Sequence, residues 1–500
     1  MQPKNLFAAI DLGSNSFRLE IGRLEAGHLR RVEYIKETVR QGNGLDEERN
    51  LTEEAMQRGW ACLARFGERI AGFRAAHVRA VATQTLREAR NRDVFLAQAH
   101  QILGFPIEVI AGREEARLIY LGVSHLLPQS GERRLVVDIG GRSTELILGQ
   151  GHEASTLESY RVGSVAWSMR YFPNGQWTAS AFRTAEVAAK AILDEALSLY
   201  PRDAWDTAYG ASGTIGAVSD ILLAAGWPEG RVTRDALDWL QDKLIKAQKP
   251  ERLQLEALKD DRRPVIGGGL AVLRAVFDLL QIDEMLPAQG ALRHGALFDL
   301  IDRETPGADV RSRMVDWLIR RFGVDTAQAN RVERTACFLL DQVLDQEKTP
   351  DAERHHRKLQ WAAQLHEIGM HIAHSDYHKH GAYILEHTDL PGFTVDELHR
   401  LGLLVLGHRG KLRKLDLSLD DPMFVQQLLA LRLGTLLCHA RREPDTDALR
   451  LLPDIKRQTF SLVLPPGWDS QYPQSAHLLR EEVASWQKTD WRLSLRSDGA

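Results

Sequence analysis

Two short segments of the chain end an apolar strand in an acid and follow it with a turn of Gly, Ser and Asn. They are "AAIDLGSNSFRLEIG" from Ala8 to Gly22 and "LVVDIGGRSTELILG" from Leu135 to Gly149. Aligned without a gap at an offset of 127 residues, they share Asp, Gly, Ser, Leu and the closing Gly. Each reads as a β-hairpin with its chemistry at the tip. Such turns present consecutive backbone N–H groups and hydroxyls with little Cβ bulk, which suits phosphate. A single copy is as well explained as a good turn, but two copies in register are not. Ser14, Asn15 and Ser16 in the first hairpin, and Gly140, Gly141, Ser143 and Thr144 in the second, are the candidate phosphate holders. Asp11 and Asp138 suit Mg²⁺, which keeps several waters and takes only one or two carboxylates.

Two further segments run strand, Gly turn, helix: "TAYGASGTIGAVSDILL" from Thr207 and "RRPVIGGGLAVLRAVFDLL" from Arg262. Each aims a helix N-terminus at its turn, where free N–H groups and the helix dipole attract an anion. Gly213 and Thr214 are the candidates in the first. Glycine before a helix also serves close packing, so neither segment stands alone as a site.

The elements that position these groups follow from periodicity. A helix starting near Arg113 places Leu118, Ile119 and Gly122 three, four and seven residues after Glu115, which puts Glu115 on the inward face. A carboxylate there needs a reason. Capping the helix N-terminus is one, and Glu114 can fill that role instead.

With 500 residues, 44% of them apolar and 26% charged, the chain has room for three or four soluble domains. No apolar run approaches the roughly 18 residues of a membrane helix, and Asp11 interrupts any N-terminal signal core, so a cytoplasmic protein is expected. Cys62, Cys337 and Cys438 are too few and too scattered for a disulfide framework or a cysteine zinc site. The formal net charge of −4 offers no global field for nucleic acid. Any polyanionic partner must be held by local patches.

In this order, the two hairpins, "YGASGTI", "GGGLAVL" and "ALRHGALFDL" resemble the exopolyphosphatase and guanosine pentaphosphate phosphohydrolase (Ppx/GppA) family. "ATQTLREA" with Arg87 and "AGREEARLIYLGV" with Glu115 match it too. The resemblance implies an α/β fold of two duplicated actin-like lobes, of the sugar kinase and chaperone ATPase superfamily, over residues 1–127 and 128–307. It implies Glu115 as the general base on an attacking water, with Arg87 and Arg18 neutralising phosphate oxygens. Glu145, at the position of Arg18 in the other hairpin, would join Asp11 and Asp138 at the metal. The implied cofactor is Mg²⁺ or another divalent cation. Exopolyphosphatase activity on inorganic polyphosphate comes first, pppGpp 5′-phosphohydrolysis second, and a weakly catalytic sensor of alarmone (pppGpp or ppGpp) or polyphosphate third. A kinase of the same fold is a further class, against which Glu115 argues for water as acceptor. A homodimer is implied. Arg142 replaces the third Gly of the family's usual "DIGGGSTE", and His294 stands where an acid is frequent.

Ten of the 18 histidines fall between His355 and His408, which marks a separate module after the polar stretch "IDRETPGADVRSR". From "WAAQLHEIGMHIAHSDYHKHGAYILEH" to "LVLGHRGKLRK" it resembles an HD phosphohydrolase domain, implying an all-α, HD-like region over 308–500. Glu367 after His366 replaces the usual Asp, so a silent helical domain is expected. The basic runs Arg354–Lys358, around Lys379, and His408–Lys414 are candidates to line a phosphate-chain channel.

Overall fold

A computed structural model describes residues 5–25, 28–128, 130–304, 309–344, 350–446 and 449–497. The chain forms two compact units, Met1–Asp309 and Val310–Ala500. Residues 305–308 of the expected linker lie outside the described residues.

The first unit holds two mixed sheets. One runs β3-β2-β1-β4-β5, with β1 Leu6–Leu12, β2 Phe17–Glu25, β3 His28–Glu37, β4 Val78–Ala82 and β5 Ile107–Val109. The other runs β10-β11-β9-β6-β7-β8, with β6 Arg133–Ile139, β7 Thr144–Gln150, β8 Glu153–Tyr160, β9 Thr207–Ala211, β10 Val232–Thr233 and β11 Glu284–Pro287. In each, an antiparallel hairpin is followed by a parallel strand on the far side of its first strand: β1 pairs with β2 and β4, β6 with β7 and β9. β1, β4 and β6 are buried almost throughout, and their runs of Ala, Val, Leu and Ile suit strands covered on both faces. Their C-terminal ends therefore carry the hairpin tips to one edge, where the chain can do chemistry.

The two sheets are not cleanly divided at residue 127. Helix Gly112–Leu126 contributes Ala116, Ile119, Tyr120 and Val123 to a core that also takes Val81 of β4 and Val136, Ile147 and Tyr209 of the second sheet. Helix Leu292–Glu304 returns to the first sheet, burying Ala296, Leu297 and Leu300 against Phe7 and Ala9. The two helices cross where Gly122 faces the backbone of Ala291 and Gly295, and Gly295 faces the carbonyl of Leu118. A Cβ at either glycine would strike backbone, so Gly122 is fixed by this crossing. Residues up to about 304 thus belong partly to the first sheet's layer.

The second unit corrects the all-α expectation. Its helices, among them Thr326–Val343, Val395–Gly407 and Pro422–Leu437, are joined by a sheet of β12 Arg450–Asp454, β13 Thr459–Leu464 and β14 Arg492–Ser497, in the order β12-β13-β14. Phe460, Leu462, Leu493 and Trp491 pack this sheet into one continuous core with the helices. Helix Val395–Gly407 begins with a capping box in which Thr394 and Glu397 satisfy each other's backbone N–H, worth about 1 kcal/mol.

Candidate active site

The hairpin tips meet. A Cβ on Gly141 would lie 2.9 Å from that of Ser14, and the Ser14 hydroxyl accepts from Thr85 Oγ1 at 2.7 Å. Between them and the helices behind lies a cleft of about 390 Å³. Of the residues expected to act, Asp11, Ser14, Asn15, Ser16, Arg18 and Glu115 line it from the first sheet's side. Asp138, Gly140, Gly141, Ser143, Gly213 and Thr214 line it from the second. Arg87, Thr144 and Glu145 do not reach its wall.

The hairpins share a backbone and differ in side chains. Asp11 stands opposite Arg18 in the first pairing, and Asp138 opposite Glu145 in the second. Arg18 Nη1 donates to Asp11 Oδ2 at 2.8 Å, so the first acid is already paired. Glu145 is 1% exposed and accepts from Ser159 Oγ at 2.7 Å. Burial pushes the Asp138 carboxyl up to about 7, and the charges of Glu115 and Asp11 add to this. Burial, Glu115 and Asp138 push Glu145 well above the usual carboxylate range. Thr144 Oγ1 donates to Val162 O at 2.6 Å and serves the turn, not the cleft.

Glu115 begins the cleft-facing stripe of its helix as the spacing predicts. It is held by Arg87, whose Nη1 donates to Oε2 at 2.8 Å and to Ile110 O at 2.8 Å while Gln84 takes the rest of the guanidinium. Burial raises the Glu115 carboxyl against the opposing pull of Arg87. Arg87 therefore orients Glu115 from behind, with its donors spent on the protein instead of on phosphate. Glu114, the alternative cap of the helix N-terminus, is fully buried in a network with Arg79 and Arg117.

Arg142 points away from the cleft: Nη2 pairs with Glu88 at 2.8 Å and Nη1 donates to Gly42 O at 3.1 Å. His294 accepts from Ala291 N at 3.1 Å and lies 3.3 Å from Glu20, which Arg293 also pairs at 2.6 Å. The glycines of "GGGLAVL" are packing residues: Gly267 meets Trp177, Gly268 meets Ser164 and Ser168, and Gly269 meets Thr214. None of these glycines lines the cleft; of that segment only Arg262, at its head, does. The first strand–turn–helix segment does reach it. There Ser212 adopts a left-handed φ of 83°, a costly conformation for a non-glycine, and its hydroxyl bonds Ile139 O at 3.0 Å. Thr214 Oγ1 also donates to Ile139 O, at 2.8 Å.

Four cations of the cleft were not legible as site residues: Lys36, Lys259, Arg262 and Arg293, the last of them paired with Glu20. Lys36 neighbours Arg18 across β2 and β3 and pairs with Asp261 at 2.8 Å. Lys259 is exposed at the rim. Arg262 is 8% exposed, its guanidinium has no hydrogen-bond or ion-pair partner among the described residues, and it occupies the space that a Cβ on Gly213 would need. Burial and the charge of Arg18 lower its pKa, a tension that a bound anion would relieve. The glycine of "ASG" is the one sequence signal for it.

In the second unit, His366 and His408 are buried with ring centroids 5.3 Å apart. Their Nδ1 atoms face the carbonyls of Ala363 and Val405 at 2.7 and 2.6 Å, and burial lowers both pKa values. Glu367 turns to Arg441 at 2.9 Å. Among the described residues no three His, Cys, Asp or Glu side chains are arranged to hold a metal ion by themselves. Of the basic runs, Lys379 pairs with Asp376 at 2.7 Å and Arg409 lies over the Tyr377 ring, while the side chains of Arg413 and Lys414 lie outside the described residues. No described helix is long and apolar enough to cross a membrane.

Hydroxyls, turn N–H groups and cations around buried acids give this cleft the kinds of group that phosphate chemistry uses. The Ppx/GppA phosphatase family matches residues 21–304, and domain III of that family matches residues 310–483. A protein of Vibrio cholerae named guanosine-5'-triphosphate,3'-diphosphate pyrophosphatase is 40% identical over 494 residues, 98% of each chain. The solved structure of an exopolyphosphatase-like protein is 28% identical with a TM-score of 0.54, covering 59% of this chain and 97% of its own. That of the Aquifex aeolicus Ppx/GppA family member is 25% identical with a TM-score of 0.51, covering 60% and 98%. The chain belongs to the Ppx/GppA phosphatase family.

Proposed function

We propose that this phosphatase removes the terminal 5′-phosphate of guanosine 5′-triphosphate 3′-diphosphate. The observation that carries the reading is the 40% identity, over 98% of both chains, to a relative named for that substrate. It reverses the order expected from motifs alone, which put polyphosphate first. Hydrolysis of inorganic polyphosphate is the second reading, supported by the 28% identity to an exopolyphosphatase-like protein over 59% of the chain.

Glu115 takes the proton of the attacking water. Its raised pKa favours that transfer near neutral pH, and Arg87 fixes its orientation. Arg18, Arg262 and the turn N–H groups of both hairpins hold the phosphate oxygens in place, since positioning and electrostatics dominate phosphoryl transfer. The donor set fits a divalent cation: Asp138 and Glu145 are buried acids that burial and neighbouring carboxylates push upward, and the pull of Arg18 and Arg262 on Asp138 does not cancel this. Asp138, on the cleft wall, would hold Mg²⁺, Glu145 opposite it in the hairpin would add negative charge from behind, and the ion would supply charge neutralisation. Asp11 is the weaker candidate because Arg18 already pairs it.

Phosphate release from pppGpp, long-chain polyphosphate and ATP, side by side with Mg²⁺, tests the reading. The highest kcat/KM is expected on pppGpp. A higher value on polyphosphate would favour the second reading, and inertness on both would refute a hydrolytic role.

A further inference from the structure

A second recess of about 140 Å³ opens beside the cleft and shares Lys36, Gly213, Lys259 and Arg262 with it. Its own walls are Gly216, Ala217 and Asp220 from helix Ser212–Ala224, and Ala257. Gly213, Gly216, Ala217 and Asp220 fall at i, i+3, i+4 and i+7, one stripe of the helix. Three small residues make a flat floor, and a Cβ on Gly216 would meet nothing within 4 Å. At the end of the stripe the Asp220 carboxylate lies exposed at the mouth of the recess, with no hydrogen-bond or ion-pair partner among the described residues.

We propose that this recess binds the base of the nucleotide and that Asp220 selects guanine. The inference rests on the pppGpp reading above and adds the group that tells one base from another. The recess is the size of a single planar base, and it begins where the cations of the phosphate cleft end. A triphosphate chain anchored by Arg262 and Lys36 therefore delivers its nucleoside to the small-residue floor. Guanine presents two adjacent donors, N1–H and the N2 amino group, and a carboxylate offers two acceptors in matching geometry. Adenine presents an acceptor at N1, which Asp220 repels. An inorganic phosphate chain has nothing to place there.

The test compares parent, Asp220→Ala, Asp220→Asn and Gly216→Leu on four substrates: pppGpp, its adenine and xanthine counterparts, and inorganic tripolyphosphate. The parent should prefer guanine over adenine. Asp220→Ala should raise KM for pppGpp by about tenfold to hundredfold, the worth of one good bidentate base contact, and remove that preference. Its KM for tripolyphosphate should move less than about twofold. Asparagine offers one acceptor and one donor, the complement of xanthine's N1–H and O2, so Asp220→Asn should gain on the xanthine substrate what it loses on guanine. Gly216→Leu fills the floor and should raise KM for every base-bearing substrate while sparing tripolyphosphate, which keeps the test sharp if a variant at Asp220 misfolds.

Equal changes on all four substrates, or a parent that treats guanine and adenine alike while hydrolysing both, would overturn the base site and leave the hydrolase reading standing. A parent that cleaves tripolyphosphate but not pppGpp would overturn both.

Discussion

The two hairpins are copies of one backbone put to opposite electrical use. Asp11, Gly13 and Ser16 of the first recur as Asp138, Gly140 and Ser143, and both glycines approach the same carbonyl, that of the serine three residues on. At the position facing the acid, one hairpin carries Arg18 and the other Glu145. Arg18 settles the charge of Asp11 within its own hairpin. Glu145 instead sets a second acid opposite Asp138, whose carboxyl is pushed up to about 7 by burial and the charge of Glu115. One substitution at a duplicated position thus divides the labour: the first hairpin is suited to anions, and the second to a cation or a proton.

The largest effect is expected at the acid that both hairpins surround. Glu115→Gln keeps shape and removes the proton acceptor, so kcat should fall by about 10² to 10⁴ with little change in KM. Single-turnover phosphate release checks this, and an unchanged rate would remove Glu115 from the mechanism.

Next comes the asymmetry itself. Glu145→Arg makes the second hairpin like the first and should abolish Mg²⁺-dependent hydrolysis, while the milder Glu145→Gln should raise the Mg²⁺ needed for half-maximal rate by about 10- to 100-fold. A Glu145→Arg protein that keeps its rate and its Mg²⁺ requirement would erase the distinction between the copies.

A smaller effect separates stability from activity. Folded Asp138 keeps its proton up to about pH 7, whereas an unfolded aspartate loses it near 3.9. The folded state therefore binds the extra proton within that window, and the metal-free protein should lose stability as pH rises from about 4 to about 7. Asp138→Asn should flatten this slope and raise Tm at pH 8 even as it impairs catalysis, as expected where a strained site trades stability for function. Thermal melts without metal at pH 5 and pH 8 read the difference; equal slopes in parent and variant would show that Asp138 is ionised throughout.

The smallest effect concerns Arg142, which stands at the position of Asn15. Arg142→Asn should cost about 1 kcal/mol through the lost Glu88 pair and leave kcat within about threefold, because its side chain is turned from the cleft. A large loss of activity would place it on the substrate instead.

The sequence made the hairpins, their duplication and the inward face of Glu115 readable, because those depend on local periods and turn residues. What it concealed depends on residues distant in the chain. Arg262 lies 49 residues from the Gly213 whose missing side chain makes room for it. Lys36 acquires its place only when β3 pairs with β2. Arg87 was legible as a site residue but not as the orienting partner of Glu115. The strands of the second unit went unread, although "RLSLRS" alternates with period two. The "GGG" run looked like a phosphate turn because close helix packing and anion binding ask for the same residue.

The division between the hairpins is tested most directly by the Mg²⁺ dependence of phosphate release in parent, Asp11→Asn and Asp138→Asn proteins. Asp138→Asn should raise the half-maximal Mg²⁺ concentration at least about tenfold, while Asp11→Asn should shift it by less than about threefold and act on the KM for substrate. Equal shifts in the two variants, or hydrolysis that needs no divalent cation, would contradict that division.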